Sequence, residues 1–223
     1  MPIFFQHDID ECTRMAIWKI EEDESFFLQY VPLHREISHP HKRLQHLAGR
    51  YLLKSLFPDF PLDLIKIADT RKPYLEGEPY HFSISHCGDF AAVIVSKENR
   101  VGVDIEMVSE KINRIKHKYS CEEEWSIVNQ VPAAMGTSLV RDEINDSLPG
   151  DAGLTLIWSC KESVFKWYGL GGVDFREHIQ VQRIVYGEPG VYTSIIQFKK
   201  SGELFLNVQS RFFKTLCLSY VYT

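Results

Sequence analysis

No apolar run in the 223-residue chain approaches the ~20 residues needed to span a bilayer. The N-terminus, MPIFFQHDIDE, has neither a basic leader nor a long apolar stretch, so it does not read as a secretory signal. Cysteines stand singly at Cys12, Cys87, Cys121, Cys160 and Cys217; without a Cys-x-x-Cys pair, neither a zinc site nor a disulfide framework is indicated. A reducing, cytoplasmic setting is the expectation. The formal net charge of −5, with no helix-turn-helix, zinc-finger or RNA-binding signature, argues against a nucleic-acid partner. Any acidic partner must therefore be met by a local basic patch. No internal repeat is visible. The remaining composition, 44% hydrophobic and 25% charged, fits a soluble globular protein with ample core for one large domain or two small ones.

Against that background one stretch stands out, Val101–Val108, VGVDIEMV. Val101, Val103 and Ile105 alternate with Gly102, Asp104 and Glu106, which on a strand puts one apolar face opposite a face bearing two carboxylates. Neighbouring carboxylates repel unless a cation lies between them or one is protonated. A hard divalent ion such as Mg²⁺, which prefers oxygen ligands and shares its shell with water and phosphate, answers that repulsion; an amphipathic strand with two solvated acids is the plainer reading. Far downstream, Trp158–Tyr168 reads WSCKESVFKWY, a short helical pattern in which Glu162 and Lys166 are four apart on one face. On its own that is a surface ion pair.

Together GVDIE and WSCKESVFK resemble the 4′-phosphopantetheinyl transferase superfamily, whose patterns run close to (I/V)G(I/V)D(I/L)E and W(S/T)xKE(A/S)xxK. The intervening RKPY and FSISHCG look like that family's intermediate motifs in the same order, and the likeness is densest from Arg71 to Gly169. Length and motif order resemble the longer, Sfp-like branch rather than the short trimeric holo-acyl-carrier-protein synthases. The resemblance implies an α+β fold of two similar halves in pseudo-twofold arrangement, with the active site in the cleft between them. We draw the halves as residues 1–99, the coenzyme A side, and 100–223, carrying the acids and the carrier-docking surface. A monomer is expected, since one chain contains both halves.

The implied reaction moves the phosphopantetheine arm of coenzyme A to a serine of an apo carrier protein (acyl, peptidyl or aryl), with Mg²⁺ as cofactor. The implied metal ligands are Asp104, Glu106 and Glu162. Lys166 would reach a phosphate, or simply pair with Glu162. Glu162 is the first candidate for general base and Glu123 the second; Glu123 also reads as an ordinary helix-start acid. A non-catalytic coenzyme A-binding relative and a metal-dependent phosphohydrolase are the alternatives.

Taken in order, residues 13–20 read as a first strand. Pro40 opens a helix through Phe57, with Leu44, Leu47, Ala48, Tyr51, Leu52 and Leu56 on one face and Arg43, His46, Arg50 and Lys54 on the other. That basic stripe is either solvated or, as the resemblance implies, the source of 3′-phosphate contacts; Arg43 and Arg50 are the candidates. Lys72 matches a lysine of the family's GKP-like turn, and Arg71 stands where the family usually has glycine. Tyr80–Ser85 reads as a strand, followed by a break at Ser85, His86 and Gly88. There is no G-x-S-x-G elbow to make Ser85 and His86 a hydrolase pair, and the resemblance makes both pyrophosphate contacts. Lys111, Arg114 and Lys118 form a basic helical face, either solvated or a docking patch for an acidic carrier. Residues 130–153 look like an irregular, mobile insertion. Ile179–Val185, Val191–Phe198, Leu204–Val208 and Thr215–Val221 alternate as a terminal meander.

Overall fold

The structure is a computed structural model that describes residues 3–33, 36–130 and 150–223. It is a mixed α+β protein. The chain divides into two compact units, Met1–Ile105 with Tyr222–Thr223, and Glu106–Val221.

The first unit is built on a four-stranded antiparallel sheet. Its strands are β1 (Ile3–Asp8), β2 (Thr13–Lys19), β5 (His81–Cys87) and β6 (Phe90–Ser96), in the order β1-β2-β6-β5. A short helix α1 (Glu24–Leu28) and a long helix α2 (Pro40–Leu56) follow β2, and a small hairpin pairs β3 (Ile65–Ile67) with β4 (Pro73–Leu75). Helix α2 forms as its sequence suggests: Pro40 sits at the first position, where its missing N–H costs nothing, and His39 caps it. Its apolar face, Leu47, Ala48, Leu52, Leu53 and Leu56, is buried with Trp18, Phe82, Val93 and Val95 of the sheet. Each fully buried leucine contributes about 1.5–3 kcal/mol.

The first strand of the chain, β1, was not expected. Its sequence IFFQHD shows no clean alternation, and five of its six residues are exposed. It is held by pairing with β2 rather than by a buried face. A second difference concerns the motif FSISHCG. No break occurs at Ser85 or His86; β5 continues through both, Ser85 opposite Ala92 and His86 opposite Ala91 of β6. The turn comes only at Gly88 and Asp89. Consecutive strand residues face opposite ways, so Ser85 and His86 lie on different faces of the sheet.

Strand β7 (Val101–Met107) runs from the first unit into the second. Val101, Val103 and Ile105 are buried as alternation predicts, but so are Gly102 and Asp104, so the acid-bearing face is not a solvated one.

In the second unit, helices α3 (Glu110–Tyr119), α4 (Glu122–Val128) and α5 (Gly150–Tyr168) precede the meander β8 (Ile179–Tyr186), β9 (Val191–Phe198), β10 (Leu204–Phe213) and β11 (Leu216–Tyr222). The meander pairs in sequence order. It matches the four expected strands, with β10 five residues longer because Gln209–Phe213 pair with β11. Ile157, Cys160, Val164 and Trp167 of α5 enter one core with Ile179, Tyr192, Ile196, Leu206 and Val208 of the strands.

Helix α5 begins eight residues before the expected Trp158. Of the irregular stretch read as 130–153, residues 131–149 lie outside the described residues, and 150–153 are its first turn. Gly153 lets α5 approach α4: a Cβ there would lie 1.9 Å from Cγ1 of Val128. At the other end Gly169 takes a left-handed φ of 71° and its N–H bonds Phe165 O at 2.9 Å, which closes the helix.

The close approach at Gly153 is testable by thermal melting. Gly153→Ala should cost about 1–3 kcal/mol through overpacking, against the small gain in helix propensity expected of an open site. With Val128→Ala in the same chain, the total cost should be less than the sum of the two single changes.

Candidate active site

The expected acids are seated by neighbours that the motifs themselves supply. In the first unit, Asp104 is 2% exposed, and its Oδ1 accepts from Ser85 Oγ at 2.9 Å. Ser85 Oγ also accepts from Ile105 N–H at 3.3 Å, and Ser83 Oγ accepts from Val103 N–H at 3.1 Å. The two serines of FSIS thus dock β7 onto β5 through side chains, and one of them orients the aspartate. A buried carboxylate is tolerated only when hydrogen bonds replace its lost water, and Ser85 provides one. His86, on the other face of β5 and exposed, shares the side of the sheet on which Ile84 meets Gly49 of α2.

Of the basic stripe on α2, Lys54 is exposed, whereas Arg43, His46 and Arg50 are partly or fully buried. Arg43 donates to Glu24 Oε2 at 2.7 Å and to Ile37 O at 3.2 Å. Arg50 is buried, and its Nη1 donates to His46 Nδ1 at 3.0 Å, which leaves the histidine proton on Nε2.

Lys72 is half-buried at the foot of the β3–β4 hairpin. Burial, aided by the neighbouring Arg100 guanidinium and opposed by Glu78, lowers its ammonium pKa to about 8. A lysine and an arginine drawn together this way make a local positive field without a whole basic surface. Arg71 beside it adopts φ 67°, the left-handed conformation glycine would take. Its N–H bonds Ala68 O at 2.8 Å and Ala68 N–H bonds Lys72 O at 2.9 Å, so the glycine-type turn is kept without the glycine.

In the second unit, Glu106 Oε1 accepts from the indole N–H of Trp158 at 3.1 Å. Trp158, Glu162 and Lys166 follow at four-residue spacing on α5 and share a face. The VGVDIE and WSCKE motifs therefore meet through the tryptophan, one turn before the glutamate. Glu123 lies in the first turn of α4, exposed, on an open cavity of about 630 Å³ that Asp174, Arg176 and Gln180 also line. Hydrogen bonds from the Cys121 thiol and from its own amide hold the Glu123 carboxyl below the usual carboxylate range. The adjacent Glu124 is buried and ion-paired with Lys161. Trp158 and Lys161 are fixed positions of the motif WSCKE, but sequence reading gave them no role, and it gave none to Glu124. The signal available was the invariable difficulty of burying a lysine, here placed one position from an acid on a largely buried helix.

Asp104, Glu106 and Glu162 are all oxygen donors, the chemistry that suits Mg²⁺. Among the described residues no three His, Cys, Asp or Glu side chains stand together closely enough to hold a metal ion. A hard ion held here would draw much of its shell from water and phosphate, as Mg²⁺ ordinarily does.

A family model described as the 4′-phosphopantetheinyl transferase superfamily matches residues 100–220. Enterobactin synthase component D of Salmonella austin is 32% identical over 126 residues, covering 56% of this chain and 47% of that protein. The L-aminoadipate-semialdehyde dehydrogenase-phosphopantetheinyl transferase of Xenopus laevis is 28% identical over 172 residues, 72% of this chain and 53% of that protein. The 4′-phosphopantetheinyl transferase AcpT of Salmonella typhimurium is 33% identical over 130 residues, 57% and 60% of the two chains. The chain thus matches between 47% and 60% of the length of these relatives.

The strained turn gives a direct test. Arg71→Gly should raise stability by about 0.5–1 kcal/mol by removing the cost of a left-handed side-chain-bearing residue, read as an upward shift of the melting temperature. Arg71→Ala, which keeps the Cβ, should give no such gain.

Proposed function

Because this chain belongs to the 4′-phosphopantetheinyl transferase superfamily, we propose that it transfers the 4′-phosphopantetheine arm of coenzyme A to a serine hydroxyl of an apo carrier protein, releasing adenosine 3′,5′-bisphosphate. The observation that carries the reading is the hydrogen bond between Trp158 and Glu106, which joins the two acidic motifs one helical turn before Glu162. The five cysteines, all free, suit a reducing cytoplasm.

The reaction needs charge neutralised on a pyrophosphate, a proton removed from serine, and the two partners aligned. Lys72, with Arg100 beside it, would receive phosphate; His86, Arg43 and Arg50 are the further basic groups of the first unit, and Arg43 would have to exchange its Glu24 partner for a ligand. Ser85 would hold Asp104 in place through its hydroxyl and stands with His86 as a candidate pyrophosphate contact. Asp104, Glu106 and Glu162 would hold Mg²⁺. That ion would supply charge stabilisation on the pyrophosphate and its leaving group. Glu162 would take the serine proton, directly or through water, with Glu123 as the second candidate. Lys166, one turn further along α5, would meet phosphate charge as it develops. The exposed Lys111, Arg114 and Lys118 of α3 offer an acidic carrier a basic face. The relatives' names point to enterobactin synthase and L-aminoadipate-semialdehyde dehydrogenase as the first systems in which to seek a carrier.

Intact-mass measurement of apo carrier proteins incubated with this chain, coenzyme A and Mg²⁺ tests the proposal: the carrier should gain one phosphopantetheine arm, and a chelator should prevent it. Asp104→Ala and Glu162→Ala should each abolish the gain in a folded protein. Release of free phosphopantetheine without a carrier would show the phosphohydrolase instead.

The Lys72 environment adds a pH dependence. A bound phosphate favours the charged ammonium and raises its pKa from about 8. Below about pH 8 the lysine is already protonated and binding takes up no proton there; above it, binding must draw one from solvent. Coenzyme A affinity should therefore be full below about pH 8 and fall as the pH rises through that value. Titration calorimetry in buffers of different ionisation enthalpy should show the proton uptake. In Lys72→Ala, affinity should be weaker throughout and the uptake lost; unchanged uptake would remove Lys72 from the binding site.

A further inference from the structure

Lys161 lies beside the proposed base Glu162 yet is wholly buried, with 0% of its surface exposed. Its Nζ donates to Glu124 Oε2 at 2.8 Å, Tyr119 O at 2.8 Å and Phe175 O at 2.9 Å, and it stands 2.7 Å from Glu124 Oε1. An ammonium has three donors and no acceptor. Every group it bonds is an acceptor, which suits the protonated form. Burial alone lowers the pKa of Lys161, and Glu124 acts against that shift.

The acceptors come from separate elements. Tyr119 ends α3, Glu124 belongs to α4, and Phe175 lies in the segment between α5 and β8. Glu124 is itself spread over two further anchors: its Oε2 accepts from Cys121 N–H at 3.0 Å and its Oε1 from Val181 N–H of β8 at 2.8 Å. One side chain of α5 thus ties that turn of the helix to α3, to α4 and to the segment before β8.

The same residues carry the anchoring to the acids. The rings of Tyr119 and Phe175, whose carbonyls hold Lys161, pack on Trp158 with centroids 5.0 and 5.6 Å away. Trp158 in turn donates to Glu106. Glu162 is the next residue along the chain from Lys161. Rotation of α5 about its axis would strain the lysine's bonds, and it would also move Glu162 and shift the indole relative to Glu106.

We propose that Lys161, paired with Glu124, is a positioning residue: it fixes the rotation of α5 and the seat of Trp158, and through them the placement of Glu162 and Glu106. This rests on the transferase reading for its effect on turnover, but not for its effect on the indole.

Removing Lys161 alone would leave Glu124 buried and uncompensated, which commonly unfolds a protein, whereas replacing both partners with apolar residues need not cost stability. The test therefore uses two variants of the full chain, the double change Lys161→Met with Glu124→Leu, and the isosteric Glu124→Gln. Folding is read by thermal melting, the indole N–H of Trp158 by ¹H–¹⁵N NMR and its solvent exchange, and turnover and coenzyme A affinity by intact mass and calorimetry. In a variant that melts cooperatively near the parent temperature, the Trp158 N–H signal should shift and exchange faster with solvent. Turnover should fall at least about tenfold, the scale typical of losing a residue that orients a ligating group, with a smaller change in coenzyme A affinity. An unchanged indole signal and parent turnover in a folded variant would overturn the proposal, as would failure of both variants to fold, which would make the pair a folding element only. Should the parent chain transfer nothing to any carrier, the transferase reading fails, and the indole signal still decides the positioning role.

Discussion

A lysine ammonium with no access to water places a strong constraint on the second unit. Withdrawing that charge from solvent costs several kcal/mol even after relaxation, and only a full set of acceptors in good geometry offsets it. Lys161 has that set, and assembling it requires the end of α3, the first turn of α4 and the segment after α5 to converge on one point. Glu124 extends the requirement to β8 by accepting from Val181. An apolar pair would fill the same volume with no demand on direction. What the ion pair adds is specificity: few arrangements of these elements satisfy it, and all of them fix how α5 faces its neighbours.

The same logic, a polar side chain spent on holding another, recurs at each acid. Asp104 is oriented by Ser85, which also takes a backbone N–H of the strand carrying the acid. Glu106 is oriented by Trp158. Neither acid depends on a loop, since one strand carries both and a helix carries Glu162. Sites built on regular elements are held more closely than sites on loops, and phosphoryl chemistry, which asks chiefly for position and charge, benefits most from that. Among the basic residues of the first unit, Arg43 is less committed. Arg43 is bound to Glu24, an ion pair about one-third exposed on both sides, and such pairs exchange partners at little cost.

Much of this was legible from residue pattern, and the exceptions have physical causes. The meander of the second unit was readable because its strands bury alternate residues, and burial is what writes alternation into a sequence. Helix α2 was readable from its apolar stripe and its leading proline. Strand β1 was not, because pairing with β2 needs backbone only and leaves its side chains unconstrained. The start of α5 was hidden by two glycines and an aspartate, poor helix formers; the need for α5 to approach Val128 accounts for one of them, Gly153. Ser85 and His86 looked like a break because small and polar residues ordinarily end strands. Here Ser83 and Ser85 are polar because they bond another strand's N–H groups, a role that no spacing rule distinguishes from a turn.

The acidic run Glu122-Glu123-Glu124 shows how one residue of phase decides between a solvent-facing acid and a buried anchor. Three consecutive carboxylates point about 100° apart around a helix, so only one of them can face the core. Which one depends on where the helix begins, since the third residue after the cap is the one that can reach back to the cap's own N–H. A serine ordinarily marks that cap, and Ser120 would have selected Glu123. The cap is instead Cys121, a poor capping residue by side-chain chemistry, and its N–H bonds Glu124. Ser120 is occupied otherwise, donating to Lys116 O and accepting from the indole of Trp125. The helix starts one residue later than its most polar candidate suggests because α3 already uses that serine to finish its last turn, and that shift turns Glu124 inward to meet Lys161 and leaves Glu123 facing the open cavity.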